Sequence, residues 1–144
     1  LVGSEMCIRD SQRPKPQIDF GRILRESGAS SLNDVSDGLS REINEIALAS
    51  RVTIELEKER IPLSDELCRW GQDCGKEPFH FAINGGEDYE LVGTISKKNW
   101  EYVKGIGGVT GIGHVTKAGK GQVFLKDKNS IKLLTIAGYD HFRL

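Results

Sequence analysis

Asp34 and Asp37 stand three positions apart in NDVSDGLSREINEIALAS, residues 33–50, with Ser36 between them and Gly38 directly after. Two carboxylates at this spacing, followed at once by an amphipathic pattern, allow two kinds of chemistry. One is structural. A helix N-terminus carries about half a positive charge and several unpaired N–H groups, and a Ser or Asp side chain can cap it. Capping accounts for Asp37 better than for Asp34, which lies too far upstream to serve the same helix. The other is cation binding. Magnesium takes one or two protein carboxylates and completes its six-fold shell with water and phosphate oxygens, while free N–H groups at a helix start suit a phosphate. Spacing alone leaves both open.

A second constellation is NGGEDYEL, residues 84–91. Gly85 and Gly86 allow close approach of the backbone or a positive φ. Glu87, Asp88 and Glu90 then place three carboxylates within four positions. An Asn-Gly hairpin turn with acidic solvent-facing side chains is one reading. Gathering like charges is unfavourable unless a cation or a donor offsets them, so a ligand site is the other reading, and the residues alone leave both open. GIGGVTGIG, residues 105–113, looks like a dinucleotide fingerprint but lacks the preceding buried strand and following helix that the fingerprint needs; it reads as a turn entering a strand. Near the end, GYDHF (residues 138–142) offers Tyr139 and Phe142 either as core anchors or as one wall of a site for a flat heteroaromatic ring.

The elements that must position these groups follow from periodicity. Phe20, Ile23 and Leu24 predict a helix ending at Gly28, and SSLNDV predicts a short strand leading into the Asp34 loop. Leu39, Ile43, Ile46 and Ala47 share a face of a helix over residues 38–49. VTIELE alternates as a strand, and Ser64 and Gly75 bracket a helix. FHFAI alternates Phe79, Phe81 and Ile83 and predicts a strand. YELVGTI predicts a strand with Tyr89, Leu91, Gly93 and Ile95 on one face, and residues 97–104 a short helix. GIGHVTK, GQVFLK and IKLLT predict short strands. The fold class expected is α+β, a mixed sheet with helices packed mainly against one face.

Composition bounds the function. The 144 residues suit one ordinary domain, and 38% hydrophobic with 28% charged residues allows a core. A net charge of −1 gives no global field for nucleic acid or an anionic membrane. The lysines crowding the last third read as solvated strand edges. Cys7, Cys68 and Cys74 show no C-x-x-C spacing, which favours a reduced, cytoplasmic setting. His80, His114 and His141 share no zinc-ligand spacing, and no apolar run reaches membrane-helix length. LVGSEMCIRDS joins poorly to the proline-bearing QRPKPQ, so residues 1–12 are expected to be foreign to the fold and residues 13–144 to form the domain.

RPKPQ, GRIL, DVSDGLSREINEIALAS, IPLSDEL, NGGEDYELVGTI, GIGHVT and GYDHF, in this order from Arg13 to Phe142, resemble the C-terminal domain of the thiamine-monophosphate kinases, within the aminoimidazole-ribotide synthase superfamily. The resemblance implies a homodimeric, magnesium-dependent enzyme that moves the γ-phosphoryl of ATP onto thiamine monophosphate, giving thiamine diphosphate. It implies Asp34 and Asp37 as magnesium ligands, Ser36 as an ATP contact, and Glu87 and Tyr139 as contacts to the thiamine phosphate. It assigns no role to Asp88 or Glu90 and no catalytic acid or base, because the acceptor oxygen is already anionic. The family's chains are roughly twice as long and carry further metal-binding aspartates in an N-terminal half, so this polypeptide alone is expected to be inactive, and monomeric in isolation. The alternatives are another ATP-dependent enzyme of the superfamily, or a non-catalytic domain that binds a ligand or a protein.

Overall fold

The computed structural model describes residues 15–136. Five α-helices and six strands occur within them: α1 (Ile18–Glu26), β1 (Ala29–Asp34), α2 (Leu39–Ser50), β2 (Val52–Glu57), α3 (Asp65–Cys74), α4 (Pro78–Asn84), β3 (Leu91–Ile95), α5 (Lys97–Val103), β4 (Gly113–Ala118), β5 (Gln122–Asp127) and β6 (Ser130–Leu133), with a short 3-10 turn at Lys58–Arg60. The strands form two sheets. β1 and β3 pair antiparallel, and the other four lie in the order β4-β2-β5-β6. The class is α+β as expected. The larger sheet is mixed because β2 runs parallel to β5 while its other pairs are antiparallel.

Helix α2 touches strands of both sheets and α4. Its buried Ile43, Ile46 and Ala47 join Ile54 and Leu56 of β2, Val123 of β5, Val92 of β3, Ile83 of α4, and Val35 and Ile61 in one core. Burying an aliphatic side chain of this size contributes about 1.5–3 kcal/mol, so α2 is the element on which both sheets are fixed. The helix ends with Arg51 in the left-handed region just after Ser50. Ser64 caps α3 by accepting the Leu67 N–H at 3.1 Å, and Gly75 closes it with φ 63.

Two expectations are corrected. FHFAI is not a strand but lies in helix α4, which starts with Pro78 in its first turn. Proline's fixed φ is preorganised for that position, and the helix puts Phe79 and Ile83, four apart, on the core side. Phe81 then turns away to meet Trp70 edge-on, with ring centroids 4.8 Å apart. NGGEDYEL is not a hairpin either. It links α4 to β3, and the strand begins at Leu91 rather than Tyr89, whose φ is 54. The glycine-rich run at 105–112 is a turn region leading into β4, as its sequence indicates.

Candidate functional site

The site is built where β1 ends and α2 begins. Asp34 closes β1 opposite Leu91 and is exposed. The chain then dips through buried Val35 and turns at half-buried Ser36 and Asp37. Three backbone hydrogen bonds hold this turn against the second acidic segment. Val35 N–H donates to the Glu90 carbonyl at 2.7 Å, Tyr89 N–H to the Val35 carbonyl at 2.9 Å, and Glu87 N–H to the Ser36 carbonyl at 2.7 Å. The two motifs, fifty residues apart in the chain, therefore become one wall.

The close approach requires glycine. Gly38 adopts φ 101, and a Cβ there would stand 2.9 Å from the Asn84 carbonyl oxygen. A Cβ on Gly86 would stand 2.7 Å from the Ser36 carbonyl oxygen. Glu87 and Tyr89 hold φ of 66 and 54, in the left-handed region that non-glycine residues seldom occupy. Each such residue costs on the order of 1–3 kcal/mol, and these outliers concentrate where ligands bind. A further link comes from Ser40, fully buried, whose hydroxyl donates to Asn84 Oδ1 at 2.9 Å. Asn84 in turn donates to the His80 carbonyl at 3.1 Å.

Asp37 does not cap α2. The N-cap is Gly38, and among the described residues no side chain caps that end. The Asp37 carboxylate instead lies 3.5 Å from Arg41, which also approaches Glu45 at 3.4 Å. Both partners are more than a third exposed, so the pair contributes at most about 1 kcal/mol and leaves the carboxylate available to a stronger cation. Among the described residues, the first N–H groups of α2 have no side-chain cap.

A description reading "AIR synthase related protein, C-terminal domain" matches residues 4–126. The chain belongs to the AIR synthase related protein family. Over 147 residues it is 37% identical to the thiamine-monophosphate kinase of Bacillus subtilis (strain 168), a similarity that takes in 99% of this chain and 44% of that one. A solved structure, "AaThiL complexed with AMPPCP and TMP", superposes with a TM-score of 0.73 at 34% identity, over 94% of this chain and 40% of that one. The hydrogenase maturation protein HypE in complex with ATP shares the fold, with a TM-score of 0.64 at 20% identity over 80% of this chain and 38% of that one. The chain spans less than half the length of the thiamine-monophosphate kinases it matches.

As an AIR synthase related domain, the chain brings Asp34, Ser36, Asp37 and Glu87 to one wall through the backbone pairing described above. Tyr139 lies outside the described residues. Among the described residues no three His, Cys, Asp or Glu side chains are gathered to hold a metal ion. Asp34 and Asp37 supply hard oxygen donors in the number magnesium takes from a protein when phosphate and water complete its shell. The donor set thus fits that ion as a partial one.

Three residues escaped the sequence reading. Glu42, on α2, is 5% exposed and accepts a hydrogen bond from the Asn33 side-chain amide. Burial raises its pKa, as do the charges of Glu45, Asp34 and Asp37, while the Asp37 backbone N–H works the other way. The periodicity did hold a signal, because Glu42 follows Leu39 by three and precedes Ile46 by four on the apolar face. Asn84 and Ser40 gave none, since a polar pair across helices is invisible in one sequence.

Next to this wall, Gln17, Phe20, Leu39, Leu91 and Trp100 help line a cleft of about 730 Å3 that also includes Asp88 and Glu90. Asp88 is exposed as a residue, but desolvation at the cleft, followed by the charge of Glu90, raises its pKa. A raised carboxyl pKa favours the folded state at low pH and penalises it once pH passes the raised value. Asp88→Asn is therefore expected to raise the melting temperature at pH 7, with the gain vanishing below the ordinary aspartate range. Melting curves across pH check this, and a gain that persists at low pH would point to packing instead of charge.

Proposed function

We propose that residues 13–144 form the C-terminal domain of a thiamine-monophosphate kinase, an ATP-dependent enzyme that phosphorylates thiamine monophosphate to thiamine diphosphate. The observation that carries this reading is the hydrogen-bonded pairing of the Val35–Ser36 turn with the strained Glu87–Glu90 segment. It sets two acidic motifs side by side in a chain whose relatives bear that name, one of them solved with AMPPCP and TMP.

The residues divide the work as their chemistry allows. Asp34 and Asp37 would hold Mg2+, which when bound neutralises the charge of the transferring phosphates. Ser36 and the uncapped N–H groups at the start of α2 would meet ATP phosphate oxygens. Glu87, fixed by its N–H on the Ser36 carbonyl, would contact the thiamine phosphate, with Tyr139 a further contact. The acceptor is an anionic phosphate oxygen, so no general base is required, and what the protein supplies is alignment. Residues 1–12 are proposed to lie outside the domain. The complete enzyme would be a cytoplasmic homodimer, and the present chain by itself would not turn over.

The test joins residues 13–144 to the remaining part of the Bacillus subtilis enzyme and measures thiamine diphosphate formed from thiamine monophosphate, ATP and Mg2+. Activity is expected in the joined protein and none in the 144-residue chain alone. Glu87→Gln is expected to raise KM for thiamine monophosphate about tenfold with a smaller change in kcat, as loss of a ground-state contact does. An unchanged KM would remove Glu87 from the acceptor site.

A further inference from the structure

Glu42 is the least expected residue near the site. It is 5% exposed, and its hydrogen-bond partner is the neutral amide of Asn33, the residue just before Asp34. The acids Glu45, Asp34 and Asp37 act against its charge and the backbone N–H of Asp37 favours it, while none of these influences comes from a basic side chain. Arg41, the nearest base in sequence, is engaged with Asp37 and Glu45 instead. A buried carboxylate without a cation is costly. A glutamine would tie Asn33 to α2 equally well at lower cost, because its Oε1 accepts the same hydrogen bond. Tying β1 to α2 therefore accounts for the Asn33 hydrogen bond, and the Asp37 backbone N–H, which favours the charged form, links the same carboxylate to the turn that carries the two aspartates.

We propose that Glu42 is a positioning residue for the Asp34–Asp37 turn, held behind it by Asn33 so that its negative charge and its brace favour a divalent cation at the two aspartates. This rests on the reading of Asp34 and Asp37 as cation ligands. Asn33 joins the brace to strand β1 at the residue before Asp34, and Glu42 sits one helical turn after Gly38, whose carbonyl accepts the Glu42 N–H at 3.2 Å. One side chain thus reaches the strand on one side of the turn from the helix on its other side. Arg41 is shared between Asp37 and Glu45, and a divalent ion on the solvent side would offset the charges of Asp34, Asp37 and Glu42 together.

The test uses the 144-residue chain labelled with 15N and titrated with Mn2+, which broadens amide signals near its site, and with Mg2+. In the unmodified chain, signals of residues 34–37 are expected to respond first. Glu42→Gln is expected to raise the half-saturating Mg2+ concentration about tenfold, in the range of a supporting residue behind a metal site, while its urea midpoint stays level or rises. Asn33→Ala, which frees the carboxylate without removing it, is expected to weaken the response by a smaller factor. Asp34→Asn separates the two claims. If Asp34→Asn abolishes the response and Glu42→Gln leaves it unchanged, the site stands and the role of Glu42 is overturned. If residues 34–37 of the unmodified chain do not respond, or Asp34→Asn changes nothing, the ligand reading falls and this proposal with it. Unfolding of Glu42→Gln would also overturn it, by making the charge a requirement of the fold.

Discussion

Asp34→Asn and Asp37→Asn are each expected to lower phosphoryl transfer in the joined enzyme by on the order of 10²–10³-fold. Asparagine keeps the size and turn preference of aspartate and removes the charge, so the change isolates the electrostatic role. For Asp34, no ion pair among the described residues depends on that charge, and its place in β1 is set by backbone pairing to Leu91. For Asp37, the lost partner is an exposed arginine whose pairing contributes at most about 1 kcal/mol. Stability should therefore hold while activity collapses, and much of the loss should reappear as a raised Mg2+ requirement. Rates at several Mg2+ concentrations beside urea unfolding curves would check this. A variant with full rate at low Mg2+ would show its aspartate to be structural. Combining the two changes should cost less than the product of the single losses, because both act on one ion.

Gly38→Ala is expected to be among the most damaging small changes to the fold, by about 3 kcal/mol. Two causes add. The φ of 101 with ψ of 143 lies in a region that side chains rarely adopt, and the new Cβ would press on the backbone carbonyls of Asn84 and Gly85 at 2.9 and 3.0 Å. Neither carbonyl can swing aside as a flexible side chain would. Displacing them would disturb the approach of Gly86 to Ser36 and thus the whole wall. Gly75→Ala makes a fitting contrast, since that glycine has φ 63 but nothing within 4 Å, and only the left-handed cost of about 1–2 kcal/mol applies. Gly105→Ala, with open space and no positive φ, should be within about 0.5 kcal/mol of the parent. Urea midpoints of the three variants test the order. Equal losses at Gly38 and Gly75 would show that the backbone contact carries no weight.

Much of this arrangement was legible in the residues. The apolar period of Leu39, Ile43, Ile46 and Ala47 placed α2, and Ser64 with Gly75 marked both ends of α3, because those features act locally. The acidic motifs were visible as candidates for the same reason. What failed was non-local or overridden by context. Phe79, Phe81 and Ile83 alternate as a strand does, yet Pro78 and the core demand of Phe79 and Ile83 select a helix. Asp37 has the chemistry of a cap, but the backbone of Gly38 takes that position so that the chain can meet Asn84. That the two acidic motifs meet at all depends on β1 pairing with β3, which no local pattern encodes. Glu42 was overlooked because a charged residue in a helix is ordinarily assigned to solvent.

The strand pairing has a consequence for synthesis. β1 pairs with β3, and β2 with β4 and β5, so the two earliest of the described strands find no partner in each other. A ribosome adding roughly 5–20 residues per second leaves both waiting for several seconds with their hydrogen-bonding edges open. During that interval the described residues hold helices and bare strand edges with no sheet formed among them, the state most apt to join a neighbouring copy. The acidic wall can close only after β3 has emerged, so a chain interrupted before residue 91 would carry the aspartates without the segment that frames them.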